Sequence, residues 1–142
     1  MSALYGIINF NGKMVMPDSL QAMSKVLQHR GPDGLMIWTD GPFGLGHAMF
    51  NISPESFADK MPYYDAESGL AITAVVRLDN RHELMKELDV ATTGIALSDS
   101  ILILKAYQKW GENCPSRLLG DFAFVIVDIK KRLVFLATDH LG

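Results

Sequence analysis

The chain has 142 residues, 49% hydrophobic and 20% charged, with a net charge of −3. That is enough for one domain with a real core, and the charge excludes an electrostatic case for nucleic acid or an anionic membrane as partner. No apolar run is long enough to cross a bilayer, Met1-Ser2-Ala3 lacks the basic start of a signal peptide, and the lone Cys114 excludes an intrachain disulfide, so a reducing cytoplasm is expected. Leu4 to Phe10 reads as a buried strand ended by the turn pair Asn11-Gly12. Pro17-Asp18-Ser19 starts a helix whose apolar stripe is Leu20, Met23, Val26 and Leu27. The turn His29-Arg30-Gly31-Pro32-Asp33-Gly34 ends it. Leu35 to Trp38 and Phe43 to Ile52 then read as strands joined across Asp40-Gly41-Pro42.

A polar loop spans Ser53 to Asp59, and Tyr63-Tyr64 makes a short strand before the turn at Asp65 to Gly69. Leu70 to Leu78 is the next strand. Asn80 caps a short helix carrying Leu84, Met85 and Leu88. Ser98 or Asp99 caps another, with Ile101, Leu102, Leu104 and Ala106 on its buried face and Trp110-Gly111 at its end. Asp121 to Asp128 and Arg132 to Thr138 form a hairpin around Lys130-Lys131. Strands at both ends with helices between them predict stacked sheets with helices packed outside, not a βαβ repeat.

Taken singly, the polar residues have ordinary readings. His29 and Arg30 suit a helix C-terminus, where positive charge is favourable. His47 lies on an apolar strand and reads as a satisfied core histidine. Cys114 reads as a packing thiol. Four histidines without ligand spacing make no case for a metal. No Gly-rich, Lys-bearing phosphate loop and no Ser-Gly-Gly-x-Asp-Ser loop is present.

Taken together, several strings resemble the class II glutamine amidotransferase domain of the asparagine synthetases. They are the His29–Gly34 run near the chain start, Gly46-His47, Ser98-Asp99 before an apolar helix, and Trp110-Gly111. Arg117-Leu118-Leu119-Gly120-Asp121-Phe122-Ala123-Phe124 and Asp139-His140-Leu141-Gly142 complete the set. The resemblance covers residues 1–142. It implies an α+β chain with the N-terminal-nucleophile hydrolase fold, a four-layer αββα arrangement with two stacked antiparallel sheets. It also implies that the chain is the N-terminal part of a longer protein.

The glutaminase of that family uses a cysteine directly after the initiator methionine, whose removal frees an α-amine able to act as base near neutral pH. Ser2 stands there. The family's arginine for the glutamine carboxylate is replaced by Met49, which has no charge and no donor; a charge-assisted hydrogen bond of that kind is worth roughly 1.5–3 kcal/mol. The family's Asn-Gly oxyanion pair is replaced by Val75-Val76, and one lost oxyanion donor typically costs about 2.7–4 kcal/mol of transition-state stabilisation. Asp99 alone matches, at the position expected to hold the substrate ammonium.

A pseudo-glutaminase with a structural role is therefore expected. Its partner would be a C-terminal ATP-dependent synthetase domain in cis or in trans, with ATP and magnesium bound there and no cofactor here. The Arg77-Leu78-Asp79-Asn80-Arg81 wording is closest to lasso-peptide-cyclase homologues, which join an activated carboxylate to an amine and need no ammonia. Two alternatives stay open: an N-terminal-nucleophile amidohydrolase using Ser2 on a different substrate, and a free-standing binding module. The oligomeric state is also open, a homodimer included.

Overall fold

The computed structural model describes residues 1–51, 57, 59–90 and 97–141. Strand β1 (Ala3–Ile8) leads to helix α1 (Pro17–Leu27) and a 3-10 turn at Gln28–Arg30; β2 (Gly34–Asp40) and β3 (Phe43–Met49) follow. Next come β4 (Tyr63–Asp65), β5 (Leu70–Leu78), α2 (Arg81–Glu87) and α3 (Asp99–Trp110). A 3-10 segment at Gly111–Arg117 connects to β6 (Gly120–Asp128) and β7 (Leu133–Thr138). One sheet has the order β1-β3-β2, the other β4-β5-β6-β7, and all pairs are antiparallel.

Period-two alternation sorts the strand residues between layers. On β5 and β6, Leu70, Ile72, Ala74, Phe122, Phe124 and Ile126 pack with Leu102, Ile103, Ala106 and Tyr107 of α3. The opposite faces of the same strands give Ala71 and Val127, which meet Phe43 and Leu45 of β3 between the sheets. Tyr5, Leu20 and Val15 form a third cluster between the first sheet and α1. The layers thus run helix, sheet, sheet, helix, as the resemblance implied.

Two β3 glycines set how closely the first two layers approach. A Cβ on Gly46 would lie 2.1 Å from Cε2 of Tyr5, its register partner on β1. A Cβ on Gly44 would lie 2.7 Å from Val15 and 2.8 Å from Leu20. Both spots are filled by neighbouring side chains, so no larger residue fits there without displacement.

The strands and helices fall close to where the sequence places them, with local corrections. β1 ends at Ile8, because the Asn9 amide bonds Lys13 O at 2.9 Å and Met14 O at 3.3 Å and turns the chain early, leaving Phe10 exposed. β3 ends at Met49; Ile52 and most of the loop from Ser53 lie outside the described residues. On α1, Val26 is 74% exposed whereas Ser24 is buried, bonded to Tyr5 Oη and to Leu20 O at 3.0 Å. Ser24 is one helical turn from the fully buried Leu20, whereas Val26 falls on the far side of the cylinder. On α3, Ile101 is only half-buried; Ile103 and Tyr107 take up the buried face instead.

Neither expected cap donates or accepts as a cap. Asn80 stands at the N-cap of α2, but its side chain bonds Arg117 O at 2.9 Å and the Leu119 N–H at 3.0 Å, tying α2 to the entry of β6. Ser98 stands at the N-cap of α3 and shares a 3.0 Å bond with Ser100.

Candidate functional site

The register of β1 on β3 pairs Ala3 with Ala48, which sets Ser2 beside Met49. His47 and Met49 fall on the β3 face that looks toward the second sheet. From that sheet, the end of β5 brings Val75, Val76 and Leu78. The start of α3 brings Asp99. A cavity of about 490 Å³ lies where these ends meet, and Ser2, Met49, Val75, Val76 and Asp99 all line it. The fold therefore gathers the five glutamine-site positions that the resemblance singled out. It adds Asp59, Met61 and Arg81, which sequence reasoning did not select.

The polar groups of this cavity are largely committed. The Ser2 hydroxyl accepts from the Phe50 N–H at 2.9 Å and donates to Phe50 O at 3.2 Å, so it extends the β1–β3 ladder by a side chain. Asp99 accepts the Leu78 N–H at 2.9 Å on one oxygen and an ion pair from Arg81 on the other. The second guanidinium nitrogen of Arg81 bonds Leu97 O. Arg77, at the rim, pairs with Asp121 at 3.1 Å and with Asp79 at 3.6 Å.

Val75, Val76 and Met49 contribute no side-chain donor. Adjacent strand residues face opposite ways, and Val76 packs against the cluster under α3. Both valines pair in register with β6, Val75 with Ala123 and Val76 with Phe122.

His47 is buried and its Nδ1 lies 3.0 Å from Thr73 Oγ1, a bond that spans the two sheets. Burial lowers its pKa to about 4, so the ring is neutral at pH 7. This is the satisfied core histidine read from the sequence. Asp59 differs. Burial raises its pKa, against the opposing pull of hydrogen bonds from Ser100 and Ser98 and of the Arg81 charge.

The run His29–Gly34 acts on this site from outside. His29 and Arg30 are exposed, and His29 Nδ1 lies 3.1 Å from Val26 O at the end of α1. Asp33 reaches further: its carboxylate takes the Asn51 N–H at 2.7 Å and its own N–H bonds Met49 O at 3.1 Å. The turn thus holds the chain as it leaves β3 along the cavity edge. Cys114 is remote from the site and fully buried, its thiol pushed up to about 12 by burial.

The four layers are those of the N-terminal-nucleophile hydrolase fold. The glutamine phosphoribosylpyrophosphate amidotransferase of Bacillus subtilis shares this fold, with a TM-score of 0.69 over 98% of this chain and 37% of that one, at 19% identity. The family model of the glutamine amidotransferase domain matches residues 1–142. The chain belongs to that family.

A Methanocaldococcus jannaschii protein named asparagine synthetase (glutamine-hydrolyzing) 2 is 35% identical over 161 residues, which cover 100% of this chain and 30% of that protein. Asparagine synthetase (glutamine-hydrolyzing) 3 of Bacillus subtilis is 29% identical, over 100% of this chain and 24% of its own length. The chain thus spans less than a third of the length of these relatives. Among the described residues no helix is long and apolar enough to cross a membrane.

Proposed function

We propose that this glutamine amidotransferase domain has lost its glutaminase chemistry and serves as a docking partner for an ATP-dependent amide-forming unit. The observation that carries the reading is the state of Asp99. It is the only glutamine-site position that matches the family, and both its oxygens are occupied by the protein itself, through Leu78 N–H and Arg81. A substrate ammonium arriving there must displace a largely buried guanidinium. The replacements Met49, Val75 and Val76 point the same way, since they offer neither the carboxylate clamp nor the side-chain oxyanion donor. The lengths of the relatives support a larger synthetase around the domain.

In this reading the synthetase unit, in cis or in trans, binds ATP and magnesium, because residues 1–142 contain no phosphate-binding loop. The amine attacking the activated carboxylate is supplied by a substrate rather than by ammonia, as in the lasso-cyclase type of enzyme. A reducing cytoplasm suits the single unpaired Cys114. The test is ammonia release from L-glutamine by the purified protein, with initiator-methionine removal verified by mass spectrometry. The expected rate equals that of Ser2→Ala. Glutamine hydrolysis abolished by Ser2→Ala overturns the proposal.

A second reading keeps Ser2 as nucleophile toward another acyl substrate. Its support is the apolar wall of Met49, Val75 and Val76 beside the Ser2 hydroxyl in one cavity. A covalent adduct on Ser2 after exposure to activated amides or esters is its signature.

A further inference from the structure

The carboxylates that line the cavity are not equivalent. Asp99 has Arg81. Asp79 has Arg77. Asp59 takes hydrogen bonds from the hydroxyls of Ser100 and Ser98, and among the described residues no lysine or arginine forms an ion pair with it. Each guanidinium in the lining forms its ion pair with another aspartate, so the close partners of Asp59 are hydroxyls and the Arg81 charge acts on it only from beyond ion-pair distance. A partly buried carboxylate of this kind gains most from an incoming cation, because solvent competes weakly for it.

Met49, Met61, Ala74, Val75 and Val76 give the lining an apolar side. That side rewards an apolar body. At about 490 Å³ the space lies within the range of small-molecule sites.

We propose that the cavity binds the primary ammonium group of an amine with an apolar body, held by Asp59. The inference rests on the reading that the glutamine site is lost, and it names what the altered site takes instead. Asp59 receives the ammonium as a third partner beside the two serine hydroxyls. Arg81 stays on Asp99 and keeps that carboxylate from competing. The hydrocarbon chain lies along the valines and methionines, which supply affinity through apolar burial without directional demands.

The probe is n-pentylammonium, titrated into the purified protein at pH 7 and followed by amide chemical shifts, with 1-pentanol as the uncharged match. The expected result is that pentylammonium binds at least tenfold more tightly than pentanol and shifts the amides of Val75, Val76 and Asp59. Asp59→Asn weakens it at least tenfold, whereas Asp18→Asn, on the exposed first turn of α1, leaves it unchanged. Equal binding of the amine and the alcohol overturns the proposal. So does undiminished binding in a well-folded Asp59→Asn, or no binding of pentylammonium at millimolar concentration. If Asp59→Asn fails to fold, the comparison of the two probes on the unaltered protein decides. Ammonia release from glutamine, measured on the same sample, reports on the lost-glutaminase reading separately, since a protein can hydrolyse glutamine and still fail to bind pentylammonium.

Discussion

Arg81 and Asp99 hold each other inside the cavity, with their side chains only 21% and 14% exposed. The same guanidinium reaches Leu97 O, and the same carboxylate reaches Leu78 N–H, so the pair joins the end of β5, the start of α2 and the start of α3. Breaking a well-buried pair by removing one partner costs several kcal/mol, and the residual exposure here reduces that. Arg81→Met is expected to destabilise the protein by about 2 kcal/mol. The check is the denaturant midpoint against that of Asp99→Asn and of the double variant, in which the two losses do not add.

Restoring the nucleophile alone is expected to restore no activity. Ser2→Cys supplies a thiol, but Met49 still offers no clamp and Val75 no side-chain oxyanion donor. Ammonia release by Ser2→Cys, after verified methionine removal, should stay at the level of Ser2→Ala. The missing side-chain donor alone withholds about 2.7–4 kcal/mol from the transition state.

His47 makes stability depend on pH. Its folded pKa of about 4 lies below the ordinary value of 6.5, so protons favour the unfolded chain. The stabilisation is complete above pH 6.5, falls as pH drops through that value, and is lost by about pH 4. Fully developed, it is worth about 3 kcal/mol at 1.36 kcal/mol per pKa unit. Denaturation midpoints of the wild type and His47→Gln, measured between pH 7 and pH 4, should converge as the pH falls.

Gly46→Ala tests the approach of β3 to Tyr5. The added methyl would lie 2.1 Å from the ring, and the ring itself is anchored by its hydroxyl on Ser24. Overpacking of this kind costs typically 1–3 kcal/mol. A lowered thermal midpoint is expected for Gly46→Ala, whereas Gly41→Ala, where nothing lies within 4 Å, pays only for its positive φ.

Cys114 should be inert while the protein is folded. Full burial and a thiol pushed up to about 12 leave almost no thiolate at pH 7. A thiol reagent such as DTNB should react at a measurable rate only in denaturant, with one equivalent consumed per chain.

The order of strands and helices was legible in the sequence because each element carries its own period. β5 alternates between layers, α3 has its broad apolar face, and glycines end α3 and open β6. The family was legible because its strings lie where the chain turns or enters an element. Errors came where apolarity and position disagreed: Val26 is apolar but on the wet side of α1, and Ser24 is polar but pays its way inward through Tyr5 and Leu20.

What the sequence determined by itself was composition at the site: serine at position 2, methionine at 49, valines at 75 and 76, aspartate at 99. What only the tertiary structure decided was who partners whom. Asp59 carries no motif, and Arg81 reads as one more polar residue on a short helix. Ion pairs and hydrogen bonds act over a few ångströms between segments distant in the chain, so no local pattern announces that Arg81 is spent on Asp99 while Asp59 takes its hydrogen bonds from hydroxyls. The packing of β5 against α3 makes that choice, and with it the charge the cavity presents.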